Sequence, residues 1–544
     1  MNFTATSKGR QFDRLAIMYF NDTEIWRTST AEPTFNGIRW EYVKDMSTYM
    51  YFWNSPQVII FDLGNLISDV YTGAFNTTLT ATFSLVDEAY NPADAIIPIS
   101  ARKGLESKAS VFMLPNDEAT NTIVLPRNIN RATFSVSACG QASEEFWWQN
   151  VLQSDVDTFK DGMGILDGFS PFREVQILID GSIAGVQWPF PVIFTGGVVP
   201  GLWRPIVGID TFDLREHEID ITPWLYVLCD GEPHTFEIRV VGIEDDGEHH
   251  GTLSKTVGNS WYVTGKIFLW LDEDSSSITT GSAAPDFSKL PSIHLSSTKT
   301  RSEKTGAIET LEYTTNVTRR IDILAQITTQ KGTSLYRWHQ DLSVTNVNVF
   351  TNFGATQESR HNTIGKDHIR TDRFTHTTEY SYPLYVNTTF AVERTSGNFS
   401  LDATLAQGLD LVVSSYPHNN YQTVLATTLQ GIAHYFGSPS AKMSTGYGST
   451  NQSFNYTEKE KDRCSKQREH AKTYSRNVEA VNGTLRKDVE DINGVAVVKD
   501  KSILEGSSLV MAAADSDGAG SITSPREAIG RGPGKAKEVL ISTG

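Results

Sequence analysis

Cysteine is scarce, with three residues in 544: Cys139, Cys229 and Cys464. They lack Cys-x-x-Cys spacing, so they form neither a disulfide framework nor a zinc site. Either one bridge and an odd thiol, or buried free thiols, remain open. No run of about 18 apolar residues occurs, so a membrane-spanning helix is excluded. Basic charge is outweighed: 47 Lys and Arg against 64 Asp and Glu leave a formal net charge of -17. Such a surface repels phosphate backbones and anionic lipid, so no nucleic acid partner and no membrane insertion are expected. Gly-rich phosphate loops, a Gly-x-Ser-x-Gly elbow, His-x-His and His-Glu-x-x-His are all missing. Nucleophilic serine, metal and cofactor chemistry therefore have no support, and neither a metal nor a cofactor is expected. The pair His249-His250 lies in an acidic stretch, 245–250, that reads as a surface loop. Long amphipathic helices are absent too; Glu144 to Leu152 is a candidate for one short turn or helix.

What is present is alternation. Phe236, Ile238 and Val240 share one face of a strand whose other face carries Thr235, Glu237 and Arg239. Val175, Ile177 and Ile179 do the same before an Asp180-Gly181 turn. Lys266 to Leu271 reads as a strand buried on both sides. Turn signals recur throughout, which predicts an all-β protein built from antiparallel β-sandwiches. A weak internal repeat supports two related, jelly-roll-like sandwiches side by side. One copy begins at Asp13, turns at Asn21-Asp22, passes Trp26, and after a long loop reaches Asp45-Met46-Ser47 and a strand near Val58. The other begins at Arg173, turns at Asp180-Gly181, passes Trp188, and after a long loop reaches Asp220-Ile221-Thr222 and the strand at Thr235. Asp45 and Asp220 read as structural.

The expected organisation is a first sandwich over 1–135, a second over 136–274, a linker over 275–291, a third C-terminal β domain over 292–488, and a disordered tail over 489–544. Nine Asn-x-Ser/Thr acceptors begin at Asn2, Asn21, Asn76, Asn316, Asn387, Asn398, Asn451, Asn455 and Asn482. They matter only in a secreted chain. Met1 opens directly on strand-like sequence with neither a basic nor an apolar leader. The expectation is a secreted, secretory-pathway or vacuolar protein whose given sequence starts inside a longer precursor.

Three clusters set carboxylates beside tryptophans: Glu24 to Pro33 with Trp26, Arg27 and Glu32; Ser137 to Trp148 with Glu144, Glu145, Trp147 and Trp148; and Phe194 to Asp213 with Trp203, Arg204, Asp210 and Asp213. Indole faces stack on the C–H faces of sugars. Paired carboxylates serve as general acid and base, one protonated and one ionised. Arginine holds polar groups through its planar fork. Glycans are the implied ligands. Each tryptophan has a competing place in a sandwich core, Glu144-Glu145 a competing role in a short helix, and Asp210 and Asp213 a competing role in turns.

At these residues the chain resembles the fungal and plant peptide-N-glycosidase A family, the peptide-N4-(N-acetyl-β-glucosaminyl)asparagine amidases. The resemblance rests on Phe12 to Ile17, Glu24 to Thr34, Phe61 to Leu66, Tyr71 to Asn76, Ser170 to Val175, Trp188-Pro189-Phe190-Pro191, Gly197 to Asp213 and Glu218 to Pro223. It is dense over about residues 2 to 245 and thinner to about 490. It implies hydrolysis of the amide that joins an asparagine side chain to the first N-acetylglucosamine, on N-glycosylated peptides and glycoproteins, by a monomer. Bacterial enzymes of this activity look like two adjacent jelly rolls with acidic residues in the cleft between them, a picture the internal repeat fits. The alternative is a glycan-binding sandwich without turnover; a structural β protein is a third possibility. A copper monooxygenase on this architecture lacks its His-x-His ligands. Among candidate catalytic residues, Glu145, beside Phe146, Trp147 and Trp148, is the expected proton donor and Asp210 the expected base, with Glu144 and Glu32 as further candidates and Asp13 and Asp62 in reserve. Trp203, Arg204, Trp26, Arg27 and Trp148 are the candidate substrate-binding residues.

Overall fold

A computed structural model describes residues 1–33, 36–84, 91–283, 290–393, 395–416, 421–438, 443–461 and 469–498. The chain is all-β, made of antiparallel sheets that pack as sandwiches.

The N-terminal unit has two three-stranded sheets. In one, Asn2–Ser7 lies between Ile38–Val43 and Phe75–Thr80; in the other, Leu15–Phe20 lies between Thr23–Ser29 and Ile59–Leu63. Phe3, Met18, Phe20, Trp26 and Trp40 fill the space between them. Trp26 is sandwiched by Tyr42 at 5.9 Å and Phe61 at 6.2 Å, both rings nearly parallel to it.

In the second unit, Ile129–Gly140 and Trp261–Leu271 form the centre of a five-stranded sheet, flanked by His217–Asp220, Ala95–Ile99 and Phe112–Leu114. A four-stranded sheet faces it, in the order Ser182–Gln187, Glu174–Ile179, Pro233–Val241, Thr120–Val124. Phe134 of the first sheet stacks on Phe236 of the second at 6.4 Å. The strands at 95–124 thus pair with the second unit, and the expected division at 135/136 falls inside the strand Ile129–Gly140. Trp261 to Leu269 are all buried, in keeping with the two-sided burial expected of that strand; Trp270 and Leu271 are half-buried.

The internal repeat survives as pairing. The hairpin Leu15–Phe20/Thr23–Ser29 and the hairpin Glu174–Ile179/Ser182–Gln187 each take the later strand, Ile59–Leu63 or Pro233–Val241, on the free side of their first strand. Asp45 Oδ1 accepts the Ser47 amide and Asp220 Oδ1 the Thr222 amide, each at 2.8 Å, opening a short 3-10 helix in both copies. These turns fit the structural reading of both aspartates.

The hairpin of the first unit is pressed against the second. All seven residues of Thr23–Ser29 are buried. Its charges are met across the junction: Arg27 pairs with Glu24 at 2.7 Å and donates to Tyr262 O at 2.7 Å, while Glu24 accepts Thr264 Oγ1 at 2.6 Å. Buried charges persist only when so compensated.

The C-terminal region is one twelve-stranded antiparallel sheet rather than a further sandwich. Its strands run in sequence order from Ile308–Thr329 to Val495–Val498, with Thr280–Ala283 and Ser292–Arg301 both pairing with Ile308–Thr329. The expected linker therefore contains a strand, and residues 489–498, expected in the tail, form strand, turn and strand; residues 284–289 and 499–544 are outside the described residues. Ile308–Thr329 alternates buried and exposed along 22 residues, the pattern of an antiparallel sheet with one packed face. That face covers the second unit. Phe190 meets Tyr382 edge-on at 5.2 Å, Arg319 pairs with buried Glu174 at 2.6 Å, and the Gln340 amide bonds both the N–H and C=O of Val186.

Candidate functional site

An antiparallel hairpin places the residues beyond its open end side by side. Arg14 O accepts the Thr30 amide at 2.8 Å, and the Arg14 amide reaches Thr30 Oγ1 at 2.8 Å. This extends the 15–29 pairing by one step and brings Asp13 and Glu32 to the mouth of the hairpin. The loop after Ser182–Gln187 closes over that mouth. Thr195 Oγ1 donates to Thr30 O at 2.6 Å, and the Gly196 amide donates to Asp13 Oδ2 at 2.8 Å. A Cβ on Gly196 would lie 2.6 Å from Asp13 Oδ1 and 2.8 Å from Glu32 Oε1, so both carboxylates face the same point. Arg204, further along the loop, pairs with Glu32 Oε2 at 3.0 Å.

Glu145 comes from the second unit. After the strand Ile129–Gly140 the chain turns sharply: a Cβ on Gly140 would stand 2.1 Å from Glu144 O, which only glycine permits. Ala142 has φ 55° and the Glu145 amide bonds Ala142 O at 3.2 Å. Glu144 is turned into the protein. Its carboxylate takes Arg173 Nε at 2.5 Å and Nη2 at 2.8 Å, Trp261 Nε1 at 2.8 Å and the Gly258 amide at 3.0 Å. Every acceptor site is thereby used, which makes Glu144 an anchor for the turn that carries Glu145.

Three carboxylates from two units thus influence one another. Burial, then repulsion from Glu32, raises the Asp13 carboxyl well above the ordinary range, against the lowering pull of the Gly196 amide and Arg14. Burial, then Asp13, raises Glu145 well above its ordinary value, with no opposing group among the described residues. Glu32 is raised by burial but held back by Arg204 and by the Asp13 amide. Asp13 Oδ1 and Glu145 Oε1 are buried without a hydrogen-bond partner among the described residues. Arg14 is also buried; its Nε and Nη2 reach Gln11 Oε1, while Nη1 has no partner among those residues. Glu32 and Arg204 keep side-chain exposures of 10% and 12% against 0% for Asp13, so solvent approaches from their side.

Of the residues singled out in the sequence, Glu32 and Arg204 pair beside Asp13, and Asp13 in turn raises the Glu145 carboxyl. Asp210 pairs instead with Arg215 at 2.9 Å, in a turn where it has φ 59°; burial raises its carboxyl and Arg215 opposes the rise. Asp213 pairs with Lys44 at 2.8 Å. Trp26 and Trp148 are core side chains, 1% and 0% exposed, and present no ring face to solvent. Arg27 is committed to Glu24 and Tyr262. Trp203 is buried too, and its indole N–H donates to Gly197 O at 2.6 Å, fixing the turn beside Gly196. Asp62 lies on the strand Ile59–Leu63. Cys139 and Cys229 are buried, and Cys139 Sγ accepts from Arg27 Nη1 at 3.2 Å; Cys464 is outside the described residues. Asp246, Glu248 and His250 come close together on the surface loop, all exposed.

Asp13, Gly196 and Arg14 were not among the leading candidates. The signal for Asp13 and Arg14 was the Phe12-Asp13-Arg14 segment that carries the resemblance; Gly196 had none.

Residues 1–287 match the family model described as Peptide N-acetyl-beta-D-glucosaminyl asparaginase amidase A, and residues 312–384 match the PNGase_A C-terminal domain. The chain belongs to this family. Over 292 residues it is 34% identical to the peptide-N4-(N-acetyl-beta-glucosaminyl)asparagine amidase A of Prunus dulcis, covering 51% of this chain and 48% of that protein. The chain thus spans about half the length of the curated relative it matches. A solved structure described as "Structure of PNGF-II in C2 space group" is 11% identical, with a TM-score of 0.29, over 50% of this chain and 57% of that one; at that score the likeness carries no argument. Family membership agrees with the resemblance carried by the sequence segments.

Proposed function

We propose that this chain hydrolyses the amide between an asparagine side chain and the first N-acetylglucosamine of an N-linked glycan, as the name of its almond relative describes for that protein. The observation that carries the reading is the meeting of Asp13 and Glu32 beside Gly196, with buried Glu145 of the second unit under the influence of Asp13, all within the family's matched segment. Amide hydrolysis needs a base for water, an acid for the leaving nitrogen and a donor to the carbonyl oxygen. Glu145, buried and with Oε1 unpartnered among the described residues, is the proton donor. Asp13 and Glu32 hold the negative charge between them and take the proton from water. The unused Nη1 of Arg14 is the donor that polarises the carbonyl. Water oxygen bonds to the amide carbon, the C–N bond breaks, and the nitrogen leaves with the Glu145 proton as a glycosylamine. The asparagine becomes aspartate, and the glycosylamine loses ammonia in water. N-glycosylated peptides and glycoproteins are the partners, and a secreted or vacuolar setting follows from them; the acceptor asparagines Asn21, Asn76, Asn316, Asn451 and Asn455 are exposed.

A binding protein without turnover would present indole faces to sugar, whereas Trp26, Trp148 and Trp203 are all buried; this weighs for the amidase. The test is incubation with a small N-glycopeptide in heavy-oxygen water. The expected peptide product has Asp in place of glycosylated Asn, with one heavy oxygen in its side chain. A peptide that keeps one N-acetylglucosamine on Asn would sink the proposal in favour of an endoglycosidase, and an unchanged glycopeptide that binds would favour the lectin.

A further inference from the structure

The strands Tyr421–Ser438 and Met443–Lys461 lie outside both family-matched segments. They nevertheless touch the loop that closes the carboxylate cluster. The short turn Pro200–Trp203 sits on their packed face. Buried Thr450 donates its hydroxyl to Leu202 O at 2.6 Å. A Cβ on Gly448 would stand 2.1 Å from Gly201 O, and one on Gly431 2.7 Å from Leu202 Cδ2. Gly431 and Thr450 are direct partners across the two strands. Two glycines and one hydroxyl on neighbouring strands therefore open a slot that takes the backbone of residues 201–202 and the Leu202 side chain.

The next two residues link the slot to the site. Trp203 bonds Gly197 O, next to the Gly196 amide that holds Asp13. Arg204 pairs with Glu32. We propose that Gly448 and Thr450 are positioning residues of the C-terminal sheet, which clamps the 196–204 loop so that Arg204 and Gly196 meet the carboxylates. This rests on the function proposed above, and it gives the C-terminal sheet a role in the reaction although none of its described residues is shown in the carboxylate cluster.

The test uses the full chain with Thr450→Val, Thr450→Ser and Gly448→Ala. Loss of a held geometry of this kind costs roughly 10- to 100-fold in rate. Thr450→Val should lower kcat within that range with a smaller change in KM. It should also move the limb of the pH profile that needs ionised Glu32 to higher pH, because Arg204 no longer holds that carboxyl down. Thr450→Ser, which keeps the hydroxyl, should restore both. A change in stability alone would move neither the pH limb nor the kcat-to-KM split. Unchanged kcat and pH profile in folded Thr450→Val overturn the proposal, whatever Gly448→Ala does. If the wild-type chain cleaves no glycopeptide, the function proposed above falls, and the clamp is decided by amide hydrogen exchange over residues 197–204. Faster exchange there in Thr450→Val, with the first unit unchanged, supports it; equal exchange overturns it.

Discussion

Asp13 and Glu32, flanking the two strands of one hairpin, direct oxygens to the same point beside Gly196, 2.6 Å and 2.8 Å from where a side chain would begin there. Gly196→Ala is therefore a probe of that meeting. The added methyl group cannot fit without parting the carboxylates or breaking the Gly196 amide bond to Asp13. Glycopeptide turnover should fall roughly 100-fold, on the scale of a misplaced reacting group, while circular dichroism stays that of the wild type. Turnover within twofold of wild type would show that the close approach is irrelevant to the chemistry.

Glu145→Gln and Asp13→Asn remove the proposed acid and part of the proposed base without changing size. Each should cut kcat on a glycopeptide by about 10²-fold or more. The double variant should lose much less than the product of the two, because the groups act together. Near-normal kcat in either folded single variant would reassign its role.

The same residues set a pH dependence of stability. Asp13 and Glu145 have folded-state carboxyls raised well above their unfolded values. Above roughly pH 4 the unfolded chain has released these protons while the folded chain still holds them. Stability from this source is full below that point and is lost as pH rises toward the raised folded values. Glu145→Gln should therefore unfold at a higher temperature than wild type at neutral pH, with the gap narrowing on acidification. A variant equally or less stable at neutral pH would contradict the buried, protonated state of Glu145.

Glu144 should behave oppositely to its neighbour. Its ion pair with Arg173 is buried, with side-chain exposures of 1% and 0%. Arg173→Ala leaves a buried carboxylate uncompensated, a loss of about 3–5 kcal/mol for such pairs, measured by urea unfolding. A loss below about 1 kcal/mol would mean the pair is not the anchor described here.

Trp203 separates stacking from positioning. Trp203→Phe keeps an aromatic ring but removes the N–H that holds Gly197 O. A positioning role predicts reduced kcat with little change in KM; a rise in KM alone would instead mean sugar contact.

Alternation in segments such as Val175 to Ile179 and Phe236 to Val240 was enough to read antiparallel sandwiches, because a strand with one buried face must place apolar residues two apart. The repeated order of hairpin, tryptophan and Asp-x-Ser/Thr was legible for the same local reason: hairpin turns and Asx turns are made by neighbouring residues. The assignment of the strands at 95–124 to the second unit was not, since pairing partners such as Ile97 and Ile267 are far apart in the chain. The site divides along the same line. Glu145 stood out because its aromatic neighbours are adjacent in sequence, and burial did raise its carboxyl. Trp26 and Trp148 carried the same local signal yet became core, since what covers an indole comes from other strands. Asp13, Gly196 and Arg204 acquire their meaning only when a hairpin mouth, a loop after residue 187 and the Thr450 strand converge. Local chemistry sets which residues can ionise, stack or turn; which of them share one dry volume is decided by long-range packing.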